Sequence, residues 1–401
     1  MAVGADATFP LTGPPRRLPL WSLVLISFSG TLGMHIFIPA LPLAGAELGA
    51  GAGGMQMTIS LYILGLAVGQ LLYGPVSDRY GRRPPLLAGL ALYAAAGILA
   101  ASAQGLPALV AARVFQALGG CAGLVLARAM VRDIAPPREA AGQLAALNMI
   151  VAIGPALAPL AGGLLASLLG WRSIFGFLSA LGVLCMAVAL WVIPETHRGA
   201  RVTGLLGANR ALIGDPAFRL LALGGSCATT SLYAIVATAP FVLTHRLGFE
   251  PGVLGLALGI VILGVTSGSL AARRLLRRVA MPRMLVLATL GATTAALLAL
   301  GLAAFAPMTL ALYLAPLFAY TFCAGLTSPV AATSALSVRP DLAGAASGLY
   351  GFAQMGFGAL ASAVAGLGAD PAVSAALFLV ASALTAQICF RQVIRSGRMP
   401  D

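Results

Sequence analysis

The sequence contains no lysine and few charged residues of any kind. Of its 401 residues, 9% are charged and 60% are hydrophobic. A soluble domain carries about 25% charged residues, because water must cover its surface. This chain has too little polar surface for a soluble fold of its length, so we expect it to lie in a lipid bilayer.

Acidic residues are scarce as well, since 11 Asp and Glu stand against 24 Arg and give a net charge of +13. In a soluble protein such a balance suggests nucleic acid as a partner. Here the arginines fall in short groups between apolar stretches, which is the pattern of the positive-inside rule. We therefore expect no nucleic acid partner.

Signals for metal, disulfide or enzyme chemistry are missing too. The five cysteines stand singly in apolar segments without CxxC spacing, which predicts packing residues rather than a disulfide framework or a metal site. A membrane-embedded enzyme needs a nucleophile–base pair or a metal cluster. The three histidines are far apart and no GxSxG motif is present. We expect no cofactor and no enzyme activity, and a sensor would need a soluble domain that the sequence does not contain.

What the chain does contain is long apolar runs. About 20 apolar residues are needed for a helix to cross the hydrocarbon core. Runs of this length predict twelve spans, in two sets of six separated by the polar segment 194–216. The spans lie near 20–42, 55–76, 86–104, 107–130, 140–166, 171–193, 217–244, 251–275, 283–303, 307–330, 342–366 and 371–393.

The predicted fold is an all-α membrane protein of two parallel six-helix repeats. Its parts are an N-terminal tail 1–19, a bundle 20–193, a central loop 194–216, a second bundle 217–393 and a C-terminal tail 394–401. The run from Leu20 to Pro42 is too long for the core of a signal peptide, which predicts a first span rather than a cleaved leader.

The arginines predict an orientation. The connections on one side, together with both termini, hold most of them, whereas the other side has only Arg172 and Arg246. By the positive-inside rule, both tails and the central loop face the cytoplasm. The two halves also echo each other, because a motif beginning at Gly74 recurs in degenerate form at Gly268.

The motif after span 2 is the sharpest signal for mechanism. An acid ringed by arginines at a helix end can form a latch in one state and release it in another. A merely topogenic basic loop explains the arginines but neither the acid nor the glycines at this spacing. The residues are Gly74, Asp78, Arg79, Gly81, Arg82 and Arg83.

This motif resembles the signature of the major facilitator superfamily between spans 2 and 3. Other segments are similar to the Bcr/CflA drug-resistance group of drug:proton antiporters, which includes chloramphenicol exporters. They are Ile38–Pro42, Gly69–Gly74, Arg113–Gly119, Val131–Asp133, Gly170–Phe175 and Pro194–Thr196. The resemblance covers the N-terminal half in order, while the C-terminal half matches mainly in layout. It implies proton-coupled efflux of small drug-like molecules from a bacterial inner membrane, by a monomer.

Arg113 lies inside span 4. A cation in the bilayer centre is costly, so it should face the bundle interior or a cavity, unless it snorkels to an interface. Gln116 lies one turn along the same face. The resemblance gives Arg113 a role in proton coupling.

Span 5 contains two prolines four residues apart among glycines, which predicts a bent helix with close packing. The resemblance identifies this pattern, with Ala158 in place of the usual Gly, as the antiporter motif of exporters. Its expected partner is span 8, through Gly255, Gly259, Gly264 and Gly268, although these could be ordinary packing faces. The motif residues are Gly154, Pro155, Pro159, Gly162 and Gly163.

His35 departs from the family, which commonly has an Asp at this place in span 1. None of the acids lies in the middle of a span, so His35 is the predicted intramembrane group that titrates near neutral pH. We hypothesise that it replaces the carboxylate as proton carrier, which would favour neutral or zwitterionic substrates over permanent cations. The alternatives are altered coupling, a neutral histidine in the cavity wall, or Asp133 as the protonated group.

Polar and aromatic residues on interior spans are the candidates for a substrate cavity, since drug pockets are mostly apolar with a few polar anchors. A symporter or an exporter for a nutrient or metabolite remains the alternative function. The candidates are Tyr62, Gln70, Gln116, Asn148, Tyr233, Tyr320, Tyr350 and Gln354.

Overall fold

A computed structural model describes residues 19–135, 137–197, 205–305, 308–339, 342–368 and 370–397. Within these residues the chain is helical throughout. The first half contains α1 (Leu20–His35), α2 (Leu41–Leu48), α3 (Ala52–Tyr80), α4 (Arg83–Ala101), α5 (Leu106–Ile134), α6 (Pro137–Leu169) and α7 (Arg172–Val192). After α8 (Leu205–Gly214), the second half contains α9 (Pro216–Thr230), α10 (Leu232–Phe241), α11 (Pro251–Leu275), α12 (Met281–Phe305), α13 (Leu310–Ser337), α14 (Ala343–Ala365) and α15 (Pro371–Arg395).

Ten helical segments of the described chain are long and apolar enough to cross a membrane. The 33-residue α6 and the 23-residue α14 occupy the fifth and eleventh predicted spans. Most predicted boundaries differ from the observed ones by a few residues. The central segment 194–216, predicted as a loop, contains the helix α8.

Several helices run further than the sequence predicted, among them α5, which ends at Ile134 and not near 130. α13 continues through Pro316 and Pro329 to Ser337, because neighbouring helices in a membrane protein compensate the backbone bonds that proline removes. α3 continues to Tyr80, so Gly74 and Asp78 lie in its last turns, whereas the sequence analysis placed them after the span. The chain turns only at Gly81, whose φ of 86° suits glycine.

Spans 1 and 7 are broken. α1 ends at His35 and the chain passes through a 3₁₀ turn, Ile38–Ala40, before α2. In span 7 the break falls at Ser231, between α9 and α10. The offset of 194 residues that relates the two halves takes position 37 to Ser231, so the breaks are equivalent in the two repeats.

Hydroxyl groups and proline account for these breaks. Near the end of α9, Ser226, Thr229 and Thr230 each donate to the carbonyl four residues earlier, and such back-bonding bends helices. In span 1 the ring of Pro39 cannot donate a backbone hydrogen bond.

The helix ends define two faces of the molecule. One carries the ends of α3, α5, α11 and α15 with their arginines, and we call it the arginine-rich end. The other carries the ends of α2, α4 and α12, and we call it the opposite end.

The halves meet on the side of the opposite end. α3 packs against α14 and α6 against α11. Gly53 faces Gly366 near the opposite end, and Gln70 faces Gly351 further along. Beyond Gln70, no glycine contact or hydrogen bond among the described residues joins α3 to the second half, and Leu72 and Tyr80 are exposed. The halves therefore close the opposite end and separate toward the arginine-rich end.

Span 8 meets span 5 as expected, through part of its glycine face. Gly255 of α11 lies against the backbone of Pro159 in α6. Gly264 and Gly268 instead lie against Phe318 and Phe322 of α13, within the second half. Only the first of these two glycine pairs contributes to the contact between halves.

The two arginines of the opposite end form equivalent clamps. Arg172 pairs with Glu47 and donates to the Ala103 carbonyl at 3.0 Å. Arg246 pairs with Asp370 at 3.1 Å and donates to the Ala303 carbonyl at 3.2 Å. Spans 1 and 7 are equivalent in the two repeats. Span 1 carries the acid of the first clamp, whereas span 7 carries the arginine of the second clamp, so the charges are exchanged between the halves. Each arginine ties three helices of its own half.

Since both clamps are solvent-exposed, Arg246→Gln is expected to lower the melting temperature of the detergent-solubilised protein by only about 2 °C. Arg246→Lys keeps a cation beside Asp370 and should restore part of that loss, while Asp370 stays in place because its carboxylate also caps α15 through the N–H groups of Ala372 and Val373. Thermal unfolding of the parental protein and the two variants measures both effects. An equal loss in Arg246→Lys and Arg246→Gln would show that the carbonyl bond, and not the ion pair, is the important contact.

Candidate transport site between the two halves

Arg113 is fully buried in α5. Its Nη1 donates to the Gly33 carbonyl and to Gln116 Oε1, both at 2.8 Å. The guanidinium carbon lies 3.9 Å from the centre of the Tyr62 ring, and such cation–π contacts stabilise a cation away from water. Nε and Nη2 have no hydrogen-bond partner among the described residues. Arg113 thus faces the bundle interior and does not snorkel.

His35 is the last residue of α1, beside the break, and is 4% exposed. Its Nδ1 lies 3.1 Å from the Thr31 carbonyl. Because a carbonyl oxygen only accepts, Nδ1 carries a hydrogen, and Nε2 is the nitrogen that can gain or lose a proton. Arg113 binds the carbonyl of Gly33, two residues earlier, so a charge on His35 would form close to a fixed cation.

The break in span 1 touches the break in span 7. The rings of His35 and Tyr233 are 6.2 Å apart, and the Tyr233 hydroxyl donates to Met34 Sδ at 3.6 Å. Tyr233 is the second residue of α10, just after the break at Ser231. Two discontinuous helices therefore meet end to side between the halves, which is where transporters of this construction place their binding groups.

Direct hydrogen bonds extend this seam toward the opposite end. Gln56 Nε2 donates to the Ala237 carbonyl at 3.3 Å. Ser60 Oγ donates to Ser362 Oγ at 2.9 Å. Both bonds link α3 to the second half, so opening the opposite end must break them.

The structure places the predicted cavity residues in three groups. Tyr62 and Gln116 hold Arg113 inside the first half, and Tyr233 and Gln70 lie at the seam. Inside the second half, the Tyr320 hydroxyl pairs with Ser231 Oγ at 2.6 Å, and Gln354 donates to Thr229 Oγ1 at 2.9 Å and to the Tyr350 hydroxyl at 3.4 Å. The side chain of Asn148 lies outside the described part. Tyr62, Gln116 and Tyr320 have no exposed surface in this conformation.

The glycine–proline motif of span 5 borders the same break. Gly162 lies so close to the Ile36 carbonyl that no side chain fits there. Gly154 faces the ring of Phe28 in α1, and Pro159 faces Gly255 of α11. Gly163 is buried as well, whereas the side chain of Pro155 is outside the described part. α6 is therefore packed between the break in span 1 and the second half.

At the arginine-rich end, Arg82 binds two acids, Asp78 and Asp133, to which the sequence analysis gave separate roles. Its Nε donates to Asp133 Oδ2 at 2.9 Å, and its Nη1 pairs with Asp78 Oδ1. Ser77 Oγ accepts from the same Nη1 at 2.6 Å. Burial disfavours the charge of Arg82, but hydrogen bonds to Asp133 and Asp78 outweigh it and raise the pKa of the guanidinium above its ordinary value. Asp133 thus belongs to this network and lies away from His35.

Glu195, in the segment after α7, fixes the turn that carries Arg82. Its carboxylate accepts from the backbone N–H groups of Arg82 at 2.7 Å and Arg83 at 3.1 Å. It also accepts from Thr196 and His197 of its own segment. Arg83 donates to the Leu190 carbonyl, whereas Arg79 stacks on Tyr80. The motif is a fixed structure within the first half.

Sequence reasoning missed Arg128, a second arginine inside the fourth apolar run. It lies in α5, and its side chain is exposed although its neighbours Ala127 and Ala129 are buried. The signal was available, because an arginine within an apolar span is as unusual at position 128 as at position 113.

A family model described as Major Facilitator Superfamily matches residues 23–363. Multidrug resistance protein D of Escherichia coli (strain K12) is 32% identical over 385 residues, covering 92% of this chain and 94% of the relative. A chloramphenicol resistance protein of Pseudomonas aeruginosa is 41% identical over 177 residues, covering 44% of this chain and 42% of the relative.

Solved structures share the fold. A bacterial homologue of the human lysosomal transporter Spinster, crystallised inward-facing and unoccupied, has a TM-score of 0.74 at 17% identity and covers 97% of this chain and 99% of its own. A D-xylose–proton symporter has a TM-score of 0.73 at 14% identity, covering 92% of this chain and 96% of its own. These likenesses confirm the predicted all-α membrane fold.

Proposed function

This chain belongs to the Major Facilitator Superfamily, and we propose that it is a proton-coupled exporter of small drug-like molecules such as phenicols, of the Bcr/CflA type. Membership makes it a multi-pass membrane transporter of small molecules and not an enzyme. Relatives named for multidrug and chloramphenicol resistance support the finer assignment.

The contact of the two broken spans is the observation that carries the proposal. His35 and Tyr233 meet between the halves, beside a buried cation that no described carboxylate neutralises. Contacts between the halves lie toward the opposite end, so rocking one half against the other would open that end and close the arginine-rich end. A site at the breaks would then face each side in turn.

His35 and Arg113 are the proposed coupling groups. Protonation at Nε2 of His35 places a positive charge near the fixed charge of Arg113, and the repulsion gives the protonated and neutral forms different preferences between states. A proton would thereby shift the conformational equilibrium. Asp133 remains the second candidate for protonation, although Arg82 occupies it in this conformation.

The motif around Asp78 is the proposed gate. α3 and α14 pack antiparallel, so closing the arginine-rich end brings Asp78 toward the first turn of α14. The N-terminus of a helix attracts a carboxylate, and Asp78 would then exchange part of its bond to Arg82 for this contact. The glycines and prolines of α6 would support the same movement against α11.

Because a symporter shares the fold, direction has to be measured. Expressed in a strain stripped of its own exporters, the protein should raise resistance to chloramphenicol within a drug-susceptibility panel. In inverted vesicles, an acidic interior should drive chloramphenicol inward, which corresponds to export from cells. Uptake of a nutrient into right-side-out vesicles, without drug movement, would support the symporter alternative.

A topology measurement tests the orientation. If the arginine-rich end faces the cytoplasm of a bacterial inner membrane, a reporter active only in the periplasm should give no signal after Arg395. The same reporter placed after Gly170, at the opposite end, should be active. Activity after Arg395 would overturn the predicted topology of twelve spans with both termini in the cytoplasm.

A further inference from the structure

We infer that Arg128 is an anion-recognising group in the cleft between the halves, and that the preferred substrates therefore carry a carboxylate or another oxyanion. This inference rests on the proposed function and names the substrate class of the same transport path.

The position of Arg128 on α5 directs it into the cleft. Cys121, Leu124 and Arg128 share one face of the helix, at spacing i, i+3 and i+7. Cys121 packs against Gly69 of α3, and Leu124 against Gly30 of α1. The face thus points between α1 and α3, which both contact the second half.

The cleft is open at this level. Arg128 lies six residues before the end of α5, or about 9 Å from the arginine-rich end. The glycine contacts between α3 and α14, at Gly53 and at Gln70, lie nearer the opposite end. α5 packs chiefly against α1, α3, α4 and α6, all of the first half. A small molecule entering from the arginine-rich end would pass the Arg128 guanidinium before it reached the breaks.

Arg128 has no anionic partner among the residues that the structure describes. Asp133, the nearest acid in sequence, and Asp78 both pair with Arg82. Arg132, one turn along the helix, is another cation. No hydrogen bond to a described side chain or carbonyl occupies its five donors.

The charged groups inside the spans along the proposed transport path of the first half are positive, as Arg128 is. Described acids lie at helix ends or in connections, at Glu47, Asp78, Asp133, Glu139, Glu195, Asp215, Glu250 and Asp370. Inside the spans of the first half stand Arg113 and Arg128. Apolar walls screen charge poorly and focus the field of such groups into a cleft. The path attracts an anion and repels a permanent cation.

Arginine is suited to this task. Its planar guanidinium can bind both oxygens of a carboxylate, whereas the lysine ammonium is a point charge. A carboxylate at Arg128 replaces only water, because no protein anion has to be displaced. Losing such a charge-assisted contact is expected to weaken binding about tenfold or more.

The test compares three probes in proteoliposomes of phosphatidylcholine with an imposed pH gradient. Nalidixate is anionic, chloramphenicol is neutral and tetraphenylphosphonium is a permanent cation. We expect export of nalidixate and chloramphenicol but not of tetraphenylphosphonium. Arg128→Gln should reduce nalidixate export about tenfold and leave chloramphenicol within about twofold, while Arg128→Lys retains an intermediate rate. Arg391→Gln, which removes an exposed arginine at the same end, should change neither.

Several outcomes would overturn the inference. Equal loss of both drugs in Arg128→Gln would assign Arg128 to folding or gating, and no loss would make it merely topogenic. Export of tetraphenylphosphonium, or of chloramphenicol without nalidixate, contradicts the anion preference while the proposed function stands. Export of no probe overturns both. Competition between added phosphatidylglycerol and nalidixate in the parental protein, absent in Arg128→Gln, would assign Arg128 to a lipid headgroup instead.

Discussion

Replacing His35 with alanine is expected to abolish uphill drug efflux and to leave downhill exchange intact. His35 is buried at the break of span 1, and its Nε2 is free to take up a proton, whereas the described acids lie at helix ends or in connections. Without a group that changes charge, the conformational equilibrium no longer responds to protons. Efflux by the parental protein should also fall as external pH rises, since the proton that His35 takes up comes from the external side.

Chloramphenicol efflux against an imposed pH gradient, compared with exchange in its absence, measures this effect. His35→Asp should partly restore pumping, because a carboxylate also carries a proton and would pair with Arg113. His245→Ala is the control, since His245 lies in span 7 at the opposite end and is exposed. If His35→Ala pumps at the parental rate with the parental pH profile, His35 is a wall residue and Asp133→Asn becomes the decisive variant.

Replacing Arg82 with glutamine is expected to reduce turnover by more than about tenfold. The guanidinium holds Asp78 and Asp133 together at the arginine-rich end, and a hydrogen bond to a charged group contributes about 1.5–3 kcal/mol. Losing such a contact in one state alone shifts the equilibrium between states by tenfold or more. Asp78→Asn should also slow turnover, but less, because the amide oxygen can still accept from Arg82.

Transport rates and equilibrium drug binding have to be measured together for these variants. A gating defect changes the rate more than the affinity, whereas a misfolded protein loses both. Arg79→Gln removes a neighbouring cation that stacks on exposed Tyr80 and pairs with no described acid, so it separates the ion network from general charge. Parental efflux by both Arg82→Gln and Asp78→Asn would reduce the motif to a topogenic loop.

Much of the fold was predictable because the bilayer imposes a simple rule on each span. A helix that crosses lipid needs about 20 apolar residues whatever its neighbours are, so the run from 251 to 275 identified α11 to the residue. Errors arose where neighbours mattered. The tenth predicted span ends at 330, yet α13 continues to Ser337 because other helices pack around it.

The site was predictable residue by residue but not as an arrangement. His35, Arg113 and Tyr233 were each candidates, since polar groups inside apolar spans are unusual. The contact between His35 and Tyr233 depends on the helix breaks at His35 and Ser231. The two residues are nearly 200 positions apart, and no local sequence pattern encodes a contact over that distance. Arg128 was missed although its local signal equalled that of Arg113.

The sequence by itself determined that this protein spans a membrane, how its spans are spaced and which superfamily it belongs to. These features depend on apolar length, arginine placement and short motifs, which are properties of residues that are neighbours in the chain. Only the tertiary structure decided that Arg82 binds both Asp78 and Asp133, that Arg113 is buried against Tyr62, and that Arg128 remains unpaired in the part of the chain that is described. The physical reason is that an ion pair forms between whichever charges packing brings within hydrogen-bonding distance. In a bundle of long helices, that choice is made by helix crossings and not by distance along the chain.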